Sequence, residues 1–176
     1  MLRNWSIVYV GNLIGAVFVA ILICYSGQLN GGDNLLGGMT IKIAALKCHL
    51  TFVEAFLLGI LCNWLVCLAV WIAIGTKEMS GKILAIFFPI WLFVTSGFEH
   101  SIANMYYISA GLLAMQSPQW LSAAEQITTP DVLSSLTWTN FFVANLLPVT
   151  LGNTVGGGVF VALVYGYLCR KLPPTH

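Results

Sequence analysis

The chain has 176 residues, 59% of them hydrophobic and only 7% charged, with a mean hydropathy of +0.89 and a formal net charge of +1. A soluble domain carries about 25% charged residues, so this composition means an integral membrane protein, and the absence of any basic run argues against nucleic acid as a partner. The five cysteines, Cys24, Cys48, Cys62, Cys67 and Cys169, fall mostly inside apolar runs without a C-x-x-C pair, which favours packing residues over a disulfide or metal framework, and no cofactor is expected.

A helix that crosses a bilayer takes about 20 mostly apolar residues. Residues 6–26 meet that length and stop at the Gly-rich "GQLNGGDNLLGG", which reads as a break and an outer loop. Residues 50–74 form the second span, with Glu54 near its start. Residues 83–115 are too long for one ordinary crossing and are interrupted by "SGFEHSIANM", which predicts a helix broken near residues 96–101. The last span, 139–169, is also long and carries Pro148 and "GNTVGGG". Four crossings place both ends of the chain on one side, together with Arg3, Lys77, Lys82, Arg170 and Lys171. The opposite loops hold Lys42 and Lys47 beside Asp33, Glu125 and Asp131. Lysine and arginine favour the cytoplasmic face, so both ends are expected inside and the loop 116–138 outside.

Residues 11–20, "GNLIGAVFVA", match residues 152–162, "GNTVGGGVFVA", after one extra residue. By the topology above the two copies run in opposite directions through the membrane. Inverted repeats mark many transporter folds, whose substrate site lies near the midplane and is built from broken helices. Two Gly-rich helices that simply pack closely in lipid would look alike too.

The interruption between residues 96 and 105 is the most informative segment. In hydrocarbon every backbone donor and acceptor needs a partner, and irregular backbone survives only inside protein or beside a water-filled cavity. An ionisable group at the bilayer centre costs at least about 2.5–3.5 kcal/mol on insertion scales for Asp, Lys and Arg. Glu99 and His100 are therefore a poor choice for packing alone. Gly97 permits a turn that a side chain would resist, while Ser96, Ser101 and Asn104 offer groups to satisfy a freed backbone. The half-helix that restarts near Ser101 presents a partly positive N-terminus, which favours an anion. A histidine there adds a hydrogen bond or a full positive charge. A satisfied Glu99–His100 pair that only fixes the fold is the plainer account. Haem ligation would leave, next to a span, only His49 as a partner, at its outer end.

Four motifs then become specific: "NWSIVYVGNLIGA", "LGILCNWLVCLAVW", "FVTSGFEHSIANMY" and "LLPVTLGNTVGGG". In this order and spacing they resemble the formate/nitrite transporter family, nearest to its formate channels, over nearly the whole chain. The resemblance implies an all-α, aquaporin-like, inverted-repeat bundle with a broken fifth helix, of which this chain holds helices three to six. It implies a homopentamer if the full-length chain is present, in the cell (inner) membrane, with one pore per protomer for small monovalent anions such as formate, nitrite or hydrosulfide. By matching motif, His100 looks like the pore-centre histidine, with Glu99 as its neighbour and Asn153 facing it. Phe93 looks like an outer hydrophobic gate residue, Val66 like a wall of the constriction, and Lys47 like the outer lysine that attracts anions. Asn63, Asn104, Gly97 and Asn12 look like supports of the break and the repeat. Each has a plainer alternative: Phe93 and Val66 as lipid-facing or core residues, Lys47 as an interfacial lysine with its charge at the surface, and Asn12 and Asn153 as helix-to-helix hydrogen bonders.

The family's first two helices, with its other broken loop, are not matched. A truncated or mis-started reading frame, a fragment without activity of its own, or a front half on a separate chain would each account for that, the first two being favoured. The function implied is passive or proton-coupled passage of a weak-acid anion, with no bond made or broken and so no enzyme. Two mechanisms stay open: His100 gives the permeant a proton, or a cationic His100 held by Glu99 stabilises the anion. A neutral-solute channel would carry "NPA" signatures at both breaks, and a haem or quinone anchor subunit would need paired ligands within spans; neither is found in the sequence.

Overall fold

A computed structural model describes residues 2–171, and side chains over residues 3–170. Every regular element among the described residues is helical. In chain order these are α1 (Leu2–Tyr25), α2 (Leu35–His49), α3 (Phe52–Gly75), α4 (Met79–Thr95), α5 (Ser101–Ala114), α6 (Pro118–Glu125), α7 (Pro130–Ser134) and α8 (Trp138–Arg170). Three helices, α1, α3 and α8, are long and apolar enough to cross a membrane, and α4 is a shorter apolar helix. Much of each apolar window lies open, with 6% of it buried in α1, 17% in α3 and 39% in α8. Such outward apolar faces suit lipid, not water.

The described residues fall into two compact units. Residues 2–52 and 101–147 form the first, residues 53–100 and 148–171 the second. In the first, α1 and α2 pack along α5, and α6 covers α2. The core is apolar, with Ile41, Met105, Ile108 and Phe141 fully enclosed. The Trp120 indole fills its edge and donates to Asn30 Oδ1 at 2.9 Å, so a large ring is buried without an orphaned N–H.

Helix α2 corrects the sequence reading. There, "LLGG" reads as loop and Lys42 and Lys47 as loop residues, whereas Gly37 and Gly38 pack against Trp120 and the backbone of α6. The buried set Ile41, Ala44, Ala45, Cys48 follows the i, i+3, i+4, i+7 spacing of a helical face. The chain enters this helix through Asp33 and Asn34, both with positive φ, a backbone region that short polar side chains tolerate. In the loop 116–138, α6 and α7 each begin at a proline, where the missing N–H is no loss.

In the second unit α3 turns its small residues Ala55, Gly59, Cys62 and Ala69 inward. Small faces let membrane helices approach closely. A Cβ on Gly59 or Gly152 would run into backbone of the facing helix, so α3 and α8 can cross at this distance only because both positions lack one. Trp64 and Phe160, with centroids 5.3 Å apart, and Trp71 and Tyr165, 4.8 Å apart, continue the contact along the two helices. Helix α8 widens into π-helical turns over Phe141–Leu146 and again over Gly156–Leu163. The first widening precedes Pro148, which cannot donate to the carbonyl four residues back and would clash with it in an α-turn.

Candidate site at the helix break

The interruption between α4 and α5 is built by a glycine. Gly97 sits at φ 70°, the left-handed region. Phe98 N donates to Phe93 O at 3.0 Å and Gly97 N to Val94 O at 3.2 Å. This is a Schellman closure, which satisfies two of the carbonyls that a helix end leaves bare. Residues 98–100 then carry no regular secondary structure, and α5 begins at Ser101.

These residues are held on both sides. Glu99 N donates to Leu58 O of α3 at 3.4 Å. Glu99 O accepts from Asn153 Nδ2 of α8 at 3.0 Å, and the same amide reaches Gly59 O at 2.8 Å. Asn63 Nδ2 in turn donates to the Asn153 backbone carbonyl at 2.6 Å. Asn153 thus supplies a donor that the broken helix cannot supply from its own ladder, and Asn63 braces the backbone of Asn153. Glu99 is 3% exposed, and Asn153 and Phe93 are each 8% exposed. The Phe93 ring stacks on the His100 imidazole, centroids 5.9 Å apart and planes 25° apart. Val66, half-buried, lies one turn along α3 from Asn63.

Within the second unit, then, Phe93, Gly97, Glu99, His100, Asn63 and Asn153 gather round one break. Asn153 holds the carbonyl of the residue before the histidine. The other predicted residues belong to the first unit. Lys47 is in the last turn of α2, its Nζ 5.7 Å from the centroid of the Tyr107 ring, a cation–π arrangement. Asn104, on the first turn of α5, donates to Asn145 Oδ1 at 2.8 Å. Asn12 donates to Val8 O at 2.9 Å, one turn back in its own helix and not across to another.

Sequence reasoning passes over Asn145. It is fully buried, and its Nδ2 donates to Lys47 O at 2.8 Å. A signal is present: an amide inside "FFVANLLP" is as costly to bury unpaired as the one in "SIANM". Among the described residues no group of three or more His, Cys, Asp and Glu side chains is arranged to hold a metal ion.

The same chain is recognisable among known proteins. The sequence profile described as "Formate/nitrite transporter" matches residues 1–167. The formate channel FocA of Haemophilus influenzae is 41% identical over 173 residues, covering 97% of this chain and 60% of that protein. FocA of Escherichia coli K12 is 41% identical over 176 residues, covering 99% of this chain and 61% of that protein. Among solved structures, a "Pentameric formate channel with formate bound" superposes with a TM-score of 0.86 at 37% identity, covering 97% of this chain and 67% of that one. A second, an "FNT family ion channel", gives a TM-score of 0.68 at 35% identity, covering 93% of this chain and 59% of that one. The chain therefore spans about 60% of the length of the curated relatives named here.

Proposed function

Because this chain belongs to the formate/nitrite transporter family, we propose that it contributes to a transmembrane path for small monovalent anions, formate foremost, with His100 at the centre of that path. The observation that carries the proposal is the pinned break: Glu99 is fixed by Leu58 O and Asn153, and His100 follows it against the Phe93 ring. An apolar ring beside an imidazole poses a definite problem for an anion. The ring strips water from the charge, and a bare charge in apolar surroundings is costly. Imidazole exchanges protons near neutral pH, so His100 lends a proton and the permeant passes Phe93 and Val66 as the neutral acid. The Phe93–His100 stacking favours this account over a permanently cationic His100 held by Glu99, which needs no apolar neighbour. No covalent bond of the permeant changes beyond the proton.

Lys47 gathers anions on the outer side in this proposal, and Asn63, Asn104 and Gly97 keep the break in shape. Nitrite and hydrosulfide, small weak-acid anions like formate, use the same route. The working form is a homopentamer in the inner membrane, both ends of this chain cytoplasmic, with protons as the second transported species. The support is the family membership and the pentameric state of one structural relative. The test is formate uptake by liposomes containing the purified protein, across a range of pH, with His100→Asn as the variant. Asparagine keeps a hydrogen bond but has no group that titrates near neutral pH, so flux is expected to fall and to lose its pH dependence. Unchanged flux and pH dependence would remove His100 from the path.

A further inference from the structure

Asn145 lies in the first wide turn of α8, and neither the sequence motifs nor the proposed function gives it a role. One amide there does two things at once. Its Nδ2 caps Lys47 O at 2.8 Å, and its Oδ1 accepts from Asn104 Nδ2 at 2.8 Å. Lys47 stands in the last turn of α2, where helix carbonyls have no partner within the helix. The cap comes from a residue 98 positions away in sequence, so it is a tertiary device that fixes where α2 ends. The other arm reaches the first turn of α5, which begins one residue after His100.

We infer that Asn145 is a positioning residue for anion capture: it holds the backbone of Lys47 so that the ammonium stands over Tyr107, and it ties that helix end to the half-helix following the break. Three features support this. Asn145 is 0% exposed, so its amide is satisfied by protein groups and not by water. It sits within a π-helical turn, where the widened ladder turns a side chain toward a neighbouring helix and which is frequent at functional sites. The Lys47 ammonium, 5.7 Å from the Tyr107 centroid, has a place to rest that depends on where its backbone is held. The inference rests on the capture role of Lys47 proposed above.

The experiment is formate uptake by liposomes as a function of formate concentration, at low and high ionic strength, for Asn145→Leu, Lys47→Ala and the double variant. Asn145→Leu is expected to raise half-saturation about threefold to tenfold, the range a lost net hydrogen bond gives, with a smaller effect on maximal flux. In the Lys47→Ala background it is expected to add nothing further to half-saturation, because sites acting through one another are not additive. The salt sensitivity of capture should shrink along with it, since a displaced ammonium no longer adds a screened attraction. Asn145→Gln, which keeps both hydrogen-bonding functions, should recover part of the loss. Should Asn145→Leu fail to assemble, Asn145→Ser, whose hydroxyl cannot reach both partners, takes its place with the same expectation. An Asn145 variant with normal half-saturation beside an impaired Lys47→Ala overturns the inference, as does an equal shift in both backgrounds. An unimpaired Lys47→Ala overturns the capture role itself, and is told apart by that single variant.

Discussion

Asn153 shows how much one buried amide can decide. Its two N–H groups serve Glu99 O and Gly59 O, and its own backbone carbonyl takes the Asn63 amide. Removing a buried donor leaves its acceptors facing an apolar side chain, which costs about 1–3 kcal/mol. Asn153→Leu is accordingly expected to lower the thermal midpoint of the purified protein in detergent, and Asn63→Leu to lower it less, because Asn63 meets a single acceptor at 2.6 Å. Equal midpoints for wild type and Asn153→Leu would mean that the break is held by something else. Gly97 carries a different kind of constraint. Its φ of 70° is costly for any residue with a Cβ, about 1–2 kcal/mol, and open space around it rules out a steric clash as the cause. Gly97→Ala should thus destabilise through backbone strain alone. The sequence makes both residues visible, as a polar group and a glycine where neither is cheap. It cannot say which atom Asn153 grips, because that depends on the register of two segments 54 residues apart.

At the scale of elements, the crossing of α3 and α8 is governed by the absence of side chains. A Cβ at Gly152 would overlap the Phe56 carbonyl, and one at Gly156 the Ile60 carbonyl. Backbone cannot swing aside as a flexible side chain can, so Gly152→Ala is expected to cost about 1–3 kcal/mol as overpacking. Gly158, in the same helix, has nothing within 4 Å of its added Cβ. Alanine there removes glycine's entropic disadvantage of about 0.5–1 kcal/mol in a helix, so Gly158→Ala should hold or raise the midpoint. Thermal unfolding of both variants side by side checks the contrast, and a Gly152→Ala midpoint equal to that of Gly158→Ala would contradict the close crossing. A Cβ added at Gly11 or Gly15, the twin glycines of the first repeat copy, would meet no atom of another element within 4 Å among the described residues. Helix α2 is the element that sequence reading loses, and the reason is physical. Glycine in water weakens a helix, but Gly37 and Gly38 face Trp120 and α6, and close packing outweighs propensity. The broken helix between α4 and α5 is legible because glycine, glutamate and histidine in one apolar stretch leave few other options.

The molecule as a whole is read best through its long apolar helices. Helix α8 has 33 residues. That is more than the about 20 residues a crossing takes. Its two ends must therefore emerge on opposite faces unless it lies along the surface, and its apolar character over so many residues opposes that. Arg170 and Lys171 mark one end, and the loop before Trp138, with no lysine or arginine from residue 116, marks the other. By the positive-inside preference the Arg170 end is expected on the cytoplasmic side. Cys169 is exposed, while Cys48 and Cys62 are buried and Cys24 and Cys67 partly so, so Cys169 is the natural reporter for that face. A membrane-impermeant maleimide is expected to leave Cys169 untouched in intact cells and to modify it once the membrane is opened. In a Cys169→Ser background, Gln126→Cys, an exposed position in the loop, should react in intact cells. Modification of both positions from the same side would mean that α8 does not cross. A reversed pattern would keep the crossing and invert the orientation.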